Sequence, residues 1–521
     1  MRLLYLLFAW LGECGTSSPA RCLLSRALAM TVLAGGWLTP SVEPAIAATS
    51  TPPGTCQPPA EEIERKASLR QAAYNGNANA KQRYFEWVEK HRSQLQSCRD
   101  RTWPDDQAIW IRLYPCDVRP GAVEELMDWM VNRGYNQVYV EVFYDGQVLL
   151  PAADNPTPWE SVVRTPGYEN VDLLARAIQA GRERGLKVYA WMFTLNFGYS
   201  YGQLGDRSDV LARNGEGDTT LTTVDTKDLN YDTVANSFAH QAFVDPYSEK
   251  GRRDYSWLVD AVKQRNPDGV LFDYVRYPRR PGTESVVTHV SDLWIYGDAA
   301  QQALYRRALN QKGLDLIRRF LQKGYITVRD IEAANKRYPD EGEPMWQGRN
   351  SNPSKSITDA AAAQPLVQQE LWYLAVAHAV QGILDFLQAA SQPVRDAGIS
   401  TGAVFFPKGN QSVGAGFDSR LQPWDRFPGS IEWHPMVYGV CGHTGCILEE
   451  VQRTLNYAPD GTSVIPALAG AWGQSIDNRP PLEIQMRDIR QVAPEIDAVS
   501  HFAYSWQEPD DDRDRKFCTL E

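Results

Sequence analysis

Short apolar segments alternate with amphipathic helical segments from residue 108 to the C-terminal region, and this alternation limits the possible folds more than any other feature. The first repeat shows the pattern clearly. Apolar residues recur at helical spacing between Val123 and Val131, Gly134 follows as a helix stop, and residues 137–143 have the composition of a strand. Two further helix-turn-strand units follow with equally short turns. Such short connections favour parallel strands that are covered by helices.

Eight strands are predicted in all, at residues 108–114, 137–143, 187–193, 269–274, 399–406, 431–438, 463–468 and 498–504. Eight parallel strands with intervening helices close a (β/α)8 barrel of the TIM-barrel type. A doubly wound open sheet is the alternative, and it is disfavoured because no glycine-rich phosphate loop follows the first strand. The sequence therefore predicts an α/β protein of the (β/α)8 class.

The N-terminal region has the features of an export signal. Arg21 and Arg26 precede an apolar stretch, and Ala45-Ile46-Ala47 has the small-x-small form that signal peptidase cleaves. A second apolar stretch at residues 3–11 indicates either a long leader or a true start downstream of Met1. We expect residues 1–47 to be removed, and the mature protein to be periplasmic or secreted without a stable membrane span.

The rest of the chain divides into a short N-terminal part and the barrel. Residues 48–105 are predicted to be a linker followed by a helical segment, and residues 106–521 the barrel. A polar insertion at about residues 279–365 interrupts the alternation of strands and helices between the fourth and fifth strands.

Removal of the signal would leave six of the eight cysteines: Cys56, Cys98, Cys116, Cys441, Cys446 and Cys518. An even number in an oxidising compartment favours disulfides. Cys441 and Cys446 are close enough to pair within one loop, while Cys56 and Cys98 bracket the helical segment. No Cys-x-x-Cys or paired histidines have the spacing of metal ligands, so we expect neither a metal nor another cofactor.

Charge and aromatic content narrow the ligand class. The formal net charge is −11 at pH 7, without a cluster of lysines and arginines, which disfavours nucleic acid and anionic membranes as partners. The chain has 16 Trp and 24 Tyr, whose ring faces stack well on sugars. Large barrels also carry many aromatic residues for packing, so both interpretations stay open.

Active sites of (β/α)8 proteins lie at the C-terminal ends of the strands. The catalytic candidates there are Asp273 and Glu141, and the substrate-binding candidates are Arg112, Tyr114, Asp145, Trp191, Asn196, Tyr274, Arg276, His434, Tyr438, Trp472, Tyr504 and Trp506. This mixture suits a neutral, polyhydroxylated ligand such as a polysaccharide or oligosaccharide. A phosphate ligand would call for more cations and helix N-termini.

Cleavage of a glycosidic bond requires two carboxyl groups, one that protonates the leaving oxygen and one that attacks or activates water. Asp273 is the strongest candidate, because a charge directly after Val-Leu-Phe has no hydrophobic reason to be there. An ion pair with Arg112 or Arg276 is its structural alternative. Glu141 is the second candidate, and a salt bridge to Arg112 that orients the site is equally compatible with its position.

Other polar residues have simpler interpretations. Glu432 lies near the start of the sixth strand and is expected at the stability end of the barrel. His434 is expected to contact a sugar hydroxyl, to assist proton transfer, or to be a hydrogen-bonded core histidine. Asp245, before Pro246, is expected to be a helix N-cap, and the acidic run at residues 510–512 a solvated tail.

Four segments resemble one known family in the right order: GLKVYAW at 185–191, VDP at 244–246, DGVLFDY at 268–274 and HPMVY at 434–438. From about residue 108 to 506 the chain resembles the glycosyl-hydrolase-like family 10 proteins of bacteria. The resemblance implies a TIM barrel related to α-amylase and α-galactosidase-like enzymes, and an envelope polysaccharide as substrate, with peptidoglycan glycan strands as one candidate. Tyr274 departs from the family pattern, which often has a second acidic residue there, and Glu141 stands where an amide is frequent.

These observations predict an exported glycoside hydrolase that acts on an envelope or extracellular polysaccharide. A non-catalytic carbohydrate-binding protein on a degenerate barrel is the alternative, and the separation of the two carboxyls would discriminate between them. A metal-dependent deacetylase is disfavoured because the sequence has no Asp/His/His cluster.

Overall fold

Eight parallel strands form the centre of the fold. In the computed structural model, which describes residues 56–222, 241–279, 285–350 and 359–520, the strands are β1 (Asp106–Arg112), β2 (Gln137–Tyr144), β3 (Lys187–Phe193), β4 (Gly269–Asp273), β5 (Ser400–Phe405), β6 (Glu432–Pro435), β7 (Ala467–Ala469) and β8 (Ala498–Phe502). Each coincides with a strand expected from the sequence. The expected export signal lies outside the described residues.

The strands follow one another around a ring in chain order. Parallel pairing runs from β1 to β6 on one side and through β8 to β7 on the other. Two parallel bridges, Trp433 to Val464 and Met436 to Ala467, join the sixth strand to the seventh. The predicted (β/α)8 barrel is therefore confirmed.

Helices cover the outside of the ring and form the N-terminal segment and the insertion. They are α1 (Ala60–Tyr74), α2 (Ala78–Arg99), α3 (Ala122–Asn132), α4 (Leu173–Glu183), α5 (Glu249–Gln264), α6 (Asp298–Tyr305), α7 (Gln311–Lys323), α8 (Val328–Arg337), α9 (Ala360–Asp396), α10 (Gly445–Tyr457), α11 (Leu482–Val492) and α12 (Pro509–Lys516). Gly134 and Gly185 follow α3 and α4 with φ of 82° and 74°, the left-handed geometry that ends a helix before a strand. None of the described helices has the length and apolar character to cross a membrane.

Aromatic side chains fill the interior of the barrel. The ring of Trp110 in β1 lies 4.9 Å from that of Trp191 in β3 and 6.5 Å from that of His434 in β6, between centroids. Strands β1 and β6 are not neighbours in the ring, so these side chains meet across the interior. The face of β1 that carries Trp110 is thus the inner face of the barrel. Arg112 is two residues later in the strand, so its side chain leaves the backbone on the same face.

A buried carboxylate attaches the N-terminal helices to the barrel. Asp128 of α3 accepts hydrogen bonds from Tyr84 of α2 at 2.8 Å, from Arg70 of α1 at 3.1 Å and from Arg184, just after α4, at 2.9 Å. Lys66 of α1 lies 3.5 Å away as a further cation. One anion therefore organises cations from both the N-terminal helices and the barrel.

The insertion between β4 and β5 contributes α6, α7 and α8 and one edge of a small antiparallel sheet. That sheet pairs Val286–Val287 with Gly416–Asp418, which in turn pairs with Ser412–Val413. The insertion thus contacts the loop that follows β5. The next helix, α9, has 37 residues and leads from the insertion to β5.

Three disulfides join the six cysteines that follow residue 47. Cys56 pairs with Cys98 across the N-terminal helices, and Cys441 with Cys446 within one loop. Cys116 pairs with Cys518 and ties the C-terminal segment to the loop after β1.

One local prediction was wrong, and a second was incomplete. The N-cap of α5 is Ser248, whose side chain accepts from the Gly251 amide at 3.2 Å. Asp245 instead accepts from the amides of Tyr247 and Ala300, both at 2.9 Å, and so joins the loop to the insertion. The acidic run at residues 510–512 lies in α12 and is exposed at Asp510 and Asp511, as expected of a solvated segment. In addition, Asp511 and Asp512 accept hydrogen bonds from the hydroxyls of Tyr504 and Tyr114.

Candidate active site

Asp273 is the last residue of β4, and its side chain is buried with 6% exposure. Trp191 Nε1 donates to Oδ2 at 3.1 Å, and the Tyr274 amide donates to Oδ1 at 2.6 Å. Burial raises the pKa of Asp273 to about 6, although the Tyr274 amide and the charge of Arg276 oppose the rise. The carboxylate forms no ion pair with any described residue, so neighbouring dipoles and not a counter-ion hold it.

Glu141 lies on the inner face of β2, with 1% exposure, beside Arg112 in the register of β1. Arg112 Nε donates to its Oε2, while Oε1 has no hydrogen-bond partner among the described residues. Burial raises the pKa of the Glu141 carboxyl, and the Arg112 guanidinium lowers it in part. The salt bridge considered from the sequence is thus present, and it leaves one carboxylate oxygen available.

The two carboxyls interact through the interior of the barrel. Glu141 and Trp191 are register partners in β2 and β3, so their side chains lie on the same face of the sheet. Trp191 in turn bonds Asp273. The negative charge of Asp273 also raises the pKa of Glu141. Two buried acids on β2 and β4, with the Trp191 side chain of β3 on the same face of the sheet, therefore form the centre of the candidate site.

Left-handed backbone occurs at both strand ends beside these acids. Tyr274 has a φ of 53° and Asp145 a φ of 46°. Asp tolerates this region, but a bulky aromatic residue there is an outlier, which costs about 1–3 kcal/mol and is typical of functional sites. The conformation turns the Tyr274 ring onto Phe193, with 4.2 Å between centroids.

Further predicted residues lie around the same end of the barrel. Arg276 packs over Tyr274, with Cζ 4.5 Å from the ring centroid. Burial raises the pKa of Tyr438 well above its ordinary value, and the negative charge of Asp273 adds to the rise. Arg479 donates to the Tyr438 carbonyl oxygen at 3.1 Å and packs near Trp506, so both aromatic residues belong to the same rim.

Tyr114 and Tyr504 are turned towards the C-terminal helix. The Tyr114 hydroxyl donates to Asp512 Oδ2 at 3.1 Å, and the Tyr504 hydroxyl donates to Asp511 Oδ2 at 2.6 Å. The structure therefore does not bring these two hydroxyls to the carboxyl pair.

Trp472 and Asn196 are also held by protein partners. Trp472 Nε1 donates to the Tyr135 hydroxyl at 3.1 Å. Its ring contacts His501, which follows the inward-facing Ser500 and so points outwards. Asn196 Oδ1 accepts from the backbone amides of Gly198 and Ala242 and shapes the loop after β3.

His434 lies deep in the barrel, fully buried, with its ring 5.6 Å from that of Tyr139. Its Nε2 is 3.2 Å from Glu432 Oε2, and Glu432 also accepts from the Tyr189 hydroxyl at 3.0 Å. Glu432 is the first residue of β6, so this polar group lies towards the N-terminal end of the strands. His434 is thus a hydrogen-bonded histidine below the carboxyl pair.

Three aromatic residues around Arg276 and Tyr274 were not among the residues predicted from the sequence. Phe193 ends β3, Phe406 follows β5, and Phe243 comes from the loop before α5. The strand-end rule that selected the other candidates would have included the first two, but their apolar side chains did not suggest a functional role.

Two cavities among the described residues lie outside the barrel interior. A groove of about 960 Å³ runs between α1, α3 and the C-terminal helix, and a cavity of about 730 Å³ lies at the start of β1 to β3. Neither includes Asp273 or Glu141. The candidate site is assigned to the strand ends because Asp273 lies there and because active sites of (β/α)8 barrels lie at this end.

Comparisons with solved structures found several sugar-acting barrels at low similarity. A β-galactosidase from the psychrophilic Marinomonas ef1 shares 14% identity with a TM-score of 0.40, over 77% of this chain and 54% of that chain. A GH20 exo-β-N-acetylglucosaminidase from Vibrio harveyi shares 9% identity with a TM-score of 0.37, over 79% and 55%. A GH18 chitinase from Pseudoalteromonas aurantia shares 10% with a TM-score of 0.32, over 77% and 94%. The chain thus spans just over half the length of the first two.

No curated protein matches the sequence. Residues 110–305, which carry Glu141 and Asp273 on β2 and β4, match the family described as Glycosyl hydrolase-like 10, and this match confirms the resemblance found in the sequence.

Proposed function

We propose that this chain is an exported glycoside hydrolase that cleaves glycosidic bonds in an envelope or extracellular polysaccharide. The observation that carries the proposal is the pair of buried, interacting carboxyls, Glu141 on β2 and Asp273 at the C-terminal end of β4. Glycosidic cleavage requires such a pair. The match to a glycosyl-hydrolase-like family supports a carbohydrate-acting function.

The environments of the two acids suggest a division of roles. Asp273, with a pKa of about 6, is mostly ionised at pH 7 and is the nucleophile or the charge stabiliser. Glu141, whose pKa burial also raises, is the acid/base group, and its unpartnered Oε1 is the atom that would exchange the proton. Trp191 and the Tyr274 amide position the Asp273 carboxylate during attack.

Export and substrate class rest on separate observations. Three disulfides suit an oxidising compartment, in agreement with the signal-like N-terminal sequence. Tyr438, Trp472 and Trp506 are partly exposed aromatic residues that follow strands of the barrel, and sugar rings stack well on such side chains. Peptidoglycan glycan strands are the first candidate, because the family resemblance implies an envelope polysaccharide.

The decisive experiment measures release of reducing ends from peptide-free peptidoglycan strands, chitin oligosaccharides and bacterial exopolysaccharides. Asp273→Asn and Glu141→Gln are each expected to lower kcat by at least about a thousandfold. Glu432→Gln is the matched control, since Glu432 is a carboxylate of the barrel that lies at the start of its strand. It should retain activity within a few fold. Undiminished cleavage by Asp273→Asn would refute the assignment.

One observation favours a second candidate, a non-catalytic carbohydrate-binding protein. Arg112 occupies one oxygen of Glu141 and stabilises its ionised form, which opposes a role as proton donor. In that case the chain binds glycans without releasing reducing ends, and Asp273→Asn leaves affinity nearly unchanged.

A further inference from the structure

Arg276 is a buried cation at the top of the barrel that has no carboxylate partner among the described residues. It lies three residues after Asp273 and is 6% exposed. Among described groups, its hydrogen bonding is limited to Nη1, which donates to the Tyr277 carbonyl oxygen at 3.0 Å. A guanidinium has five N–H donors and keeps its charge at physiological pH. Burial of a charge without a counter-ion is costly, so the position calls for a functional explanation.

Aromatic rings surround this cation without satisfying its donors. Cζ lies 4.5 Å from the ring centroid of Tyr274, 5.6 Å from that of Phe243 and 5.7 Å from that of Phe406. Ring faces attract a cation but accept no strong hydrogen bond. The rings therefore fix the position of the guanidinium and leave its N–H groups for another acceptor.

The neighbouring arginine shows the contrast. Arg420 also packs over the ring of Phe406, with Cζ 4.7 Å from the ring centroid, and forms a bidentate pair with Asp418 at 2.8 and 2.7 Å. Its charge is therefore neutralised, whereas the charge of Arg276 is not. Asp273 acts on Arg276 only through space, since no ion pair joins them. The region between the ends of β4 and β5 thus carries an unpaired positive charge beside the carboxyl pair.

We propose that Arg276 forms a subsite for an anionic sugar substituent, a carboxylate or a sulfate ester, next to the bond-cleaving acids. A planar guanidinium binds such oxyanions through two parallel hydrogen bonds, and it is the side chain best suited to do so in a desolvated site. The glycan bound here is then acidic at one position, which replaces the expectation of a wholly neutral ligand. The inference rests on the proposed function only in taking the ligand to be a glycan.

Binding to matched glycan pairs tests the inference by calorimetry. Oligogalacturonate, hyaluronan oligosaccharides and peptide-free peptidoglycan strands are each compared with their carboxyl-reduced forms, and chondroitin sulfate with its desulfated form. The wild type is expected to bind at least one anionic glycan about ten- to a hundredfold more tightly than its neutralised partner. The pair that shows the preference identifies carboxylate or sulfate as the group recognised.

Variants assign the preference to the guanidinium. Arg276→Met should remove the preference, and Arg276→Lys should keep part of it. Arg453→Met is the matched control, because Arg453 also packs near aromatic rings but donates to the Pro407 carbonyl oxygen and to Asn410. It should leave the preference unchanged.

The inference is overturned if the wild type binds no anionic glycan more tightly than its neutral partner, or if folded Arg276→Met retains the preference. If Arg276→Met does not fold, the inference is still tested by the wild-type affinities for anionic and neutralised glycans and by the preference that Arg276→Lys retains. An Arg276-dependent preference without any cleavage would contradict the proposed hydrolase and support the subsite. Cleavage of anionic and neutralised glycans at equal rates and with equal affinities would support the proposed hydrolase and contradict the anionic subsite.

Discussion

Trp191 Nε1 donates a hydrogen bond to Asp273 Oδ2 over 3.1 Å, and this contact links the packed interior of the barrel to the candidate nucleophile. The same indole packs against Trp110, which contacts His434 on the far side of the barrel. The orientation of Asp273 is therefore set in part by a strand residue of the packed interior, and rigid elements of this kind hold catalytic groups most exactly.

Trp191→Phe keeps much of the ring packing and removes the donor to Asp273. A hydrogen bond to the charged form of an acid lowers its pKa, so its loss raises the pKa of Asp273 above about 6. The acidic limb of the kcat/KM profile should move to higher pH by about one unit. Trp110→Phe, which loses a bond to Ser500 and none to Asp273, is the control and should leave the limb in place. An unmoved limb in Trp191→Phe would contradict the prediction.

Asp273→Asn should stabilise the fold at neutral pH. The folded pKa of about 6 lies above the unfolded value of about 4, so the folded state binds a proton more tightly between these values. Stability is therefore lost as pH rises through that window, and the buried charge costs up to about 3 kcal/mol at pH 7. Thermal unfolding should show a Tm for Asp273→Asn a few degrees above wild type at pH 7. A gain of equal size at pH 4 would show that another cause operates.

Arg112→Met should destabilise the protein by leaving Glu141 buried without its partner. The expected loss is about 2–4 kcal/mol at pH 7, less than for a fully buried pair because Arg112 is 31% exposed. Protonation of Glu141 relieves the cost, so the loss should shrink as pH falls. The double variant Arg112→Met, Glu141→Gln should recover much of the stability in urea unfolding. A double variant as unstable as Arg112→Met would rule out this explanation.

The strands were predictable from sequence because their signals are local. Helical spacing between Val123 and Val131, followed by Gly134 and an apolar run, specifies a helix, a stop and a strand within a short stretch of chain. Asp273 was recognised for the same reason, since a charge directly after a buried strand in this architecture lies at the active end.

Side-chain direction beyond the strand ends was not predictable, because the partners are distant in sequence. The prediction of Asp245 as an N-cap was wrong because one of its oxygens accepts from the amide of Ala300, which belongs to the insertion. Tyr114 follows β1 at the same end of the barrel as the other candidates, yet its hydroxyl donates to Asp512 of α12 and not to the carboxyl pair. The lack of a counter-ion for Arg276 among the described residues was likewise not predictable, because it depends on which charged groups of a distant segment approach it. Asp418 acts on Arg276 through space but pairs with Arg420.

Cys518→Ser should release the C-terminal helix from the barrel. The Cys116–Cys518 bridge joins residues separated by 402 positions, whereas Cys441–Cys446 spans a separation of 5. Longer closed loops restrict the unfolded chain more, so loss of the first bridge should cost about 2–4 kcal/mol of unfolding free energy. Cys446→Ser is the matched control with a smaller expected loss. Equal losses in urea unfolding, or unchanged proteolysis of α12 in Cys518→Ser, would refute the prediction.

Asp128→Asn should detach α1 and α2 from the barrel. Asp128 is fully buried, and its negative charge balances Arg184 and Lys66, each with a side-chain exposure of 1%. Burial already lowers the pKa of Lys66 to about 8. Removal of the anion leaves these cations uncompensated, with an expected loss of about 3–5 kcal/mol.

Hydrogen exchange distinguishes this detachment from general destabilisation. Exchange in Asp128→Asn should rise most in α1 and α2, because Arg70 and Tyr84 lose their common acceptor. Asp254→Asn provides the comparison: Asp254 is equally buried but binds Tyr201 and Arg207, away from the N-terminal helices. That variant should lose stability without selective exchange in α1 and α2. If both variants exchange alike, Asp128 contributes to the barrel as a whole and not specifically to attachment of the helical segment.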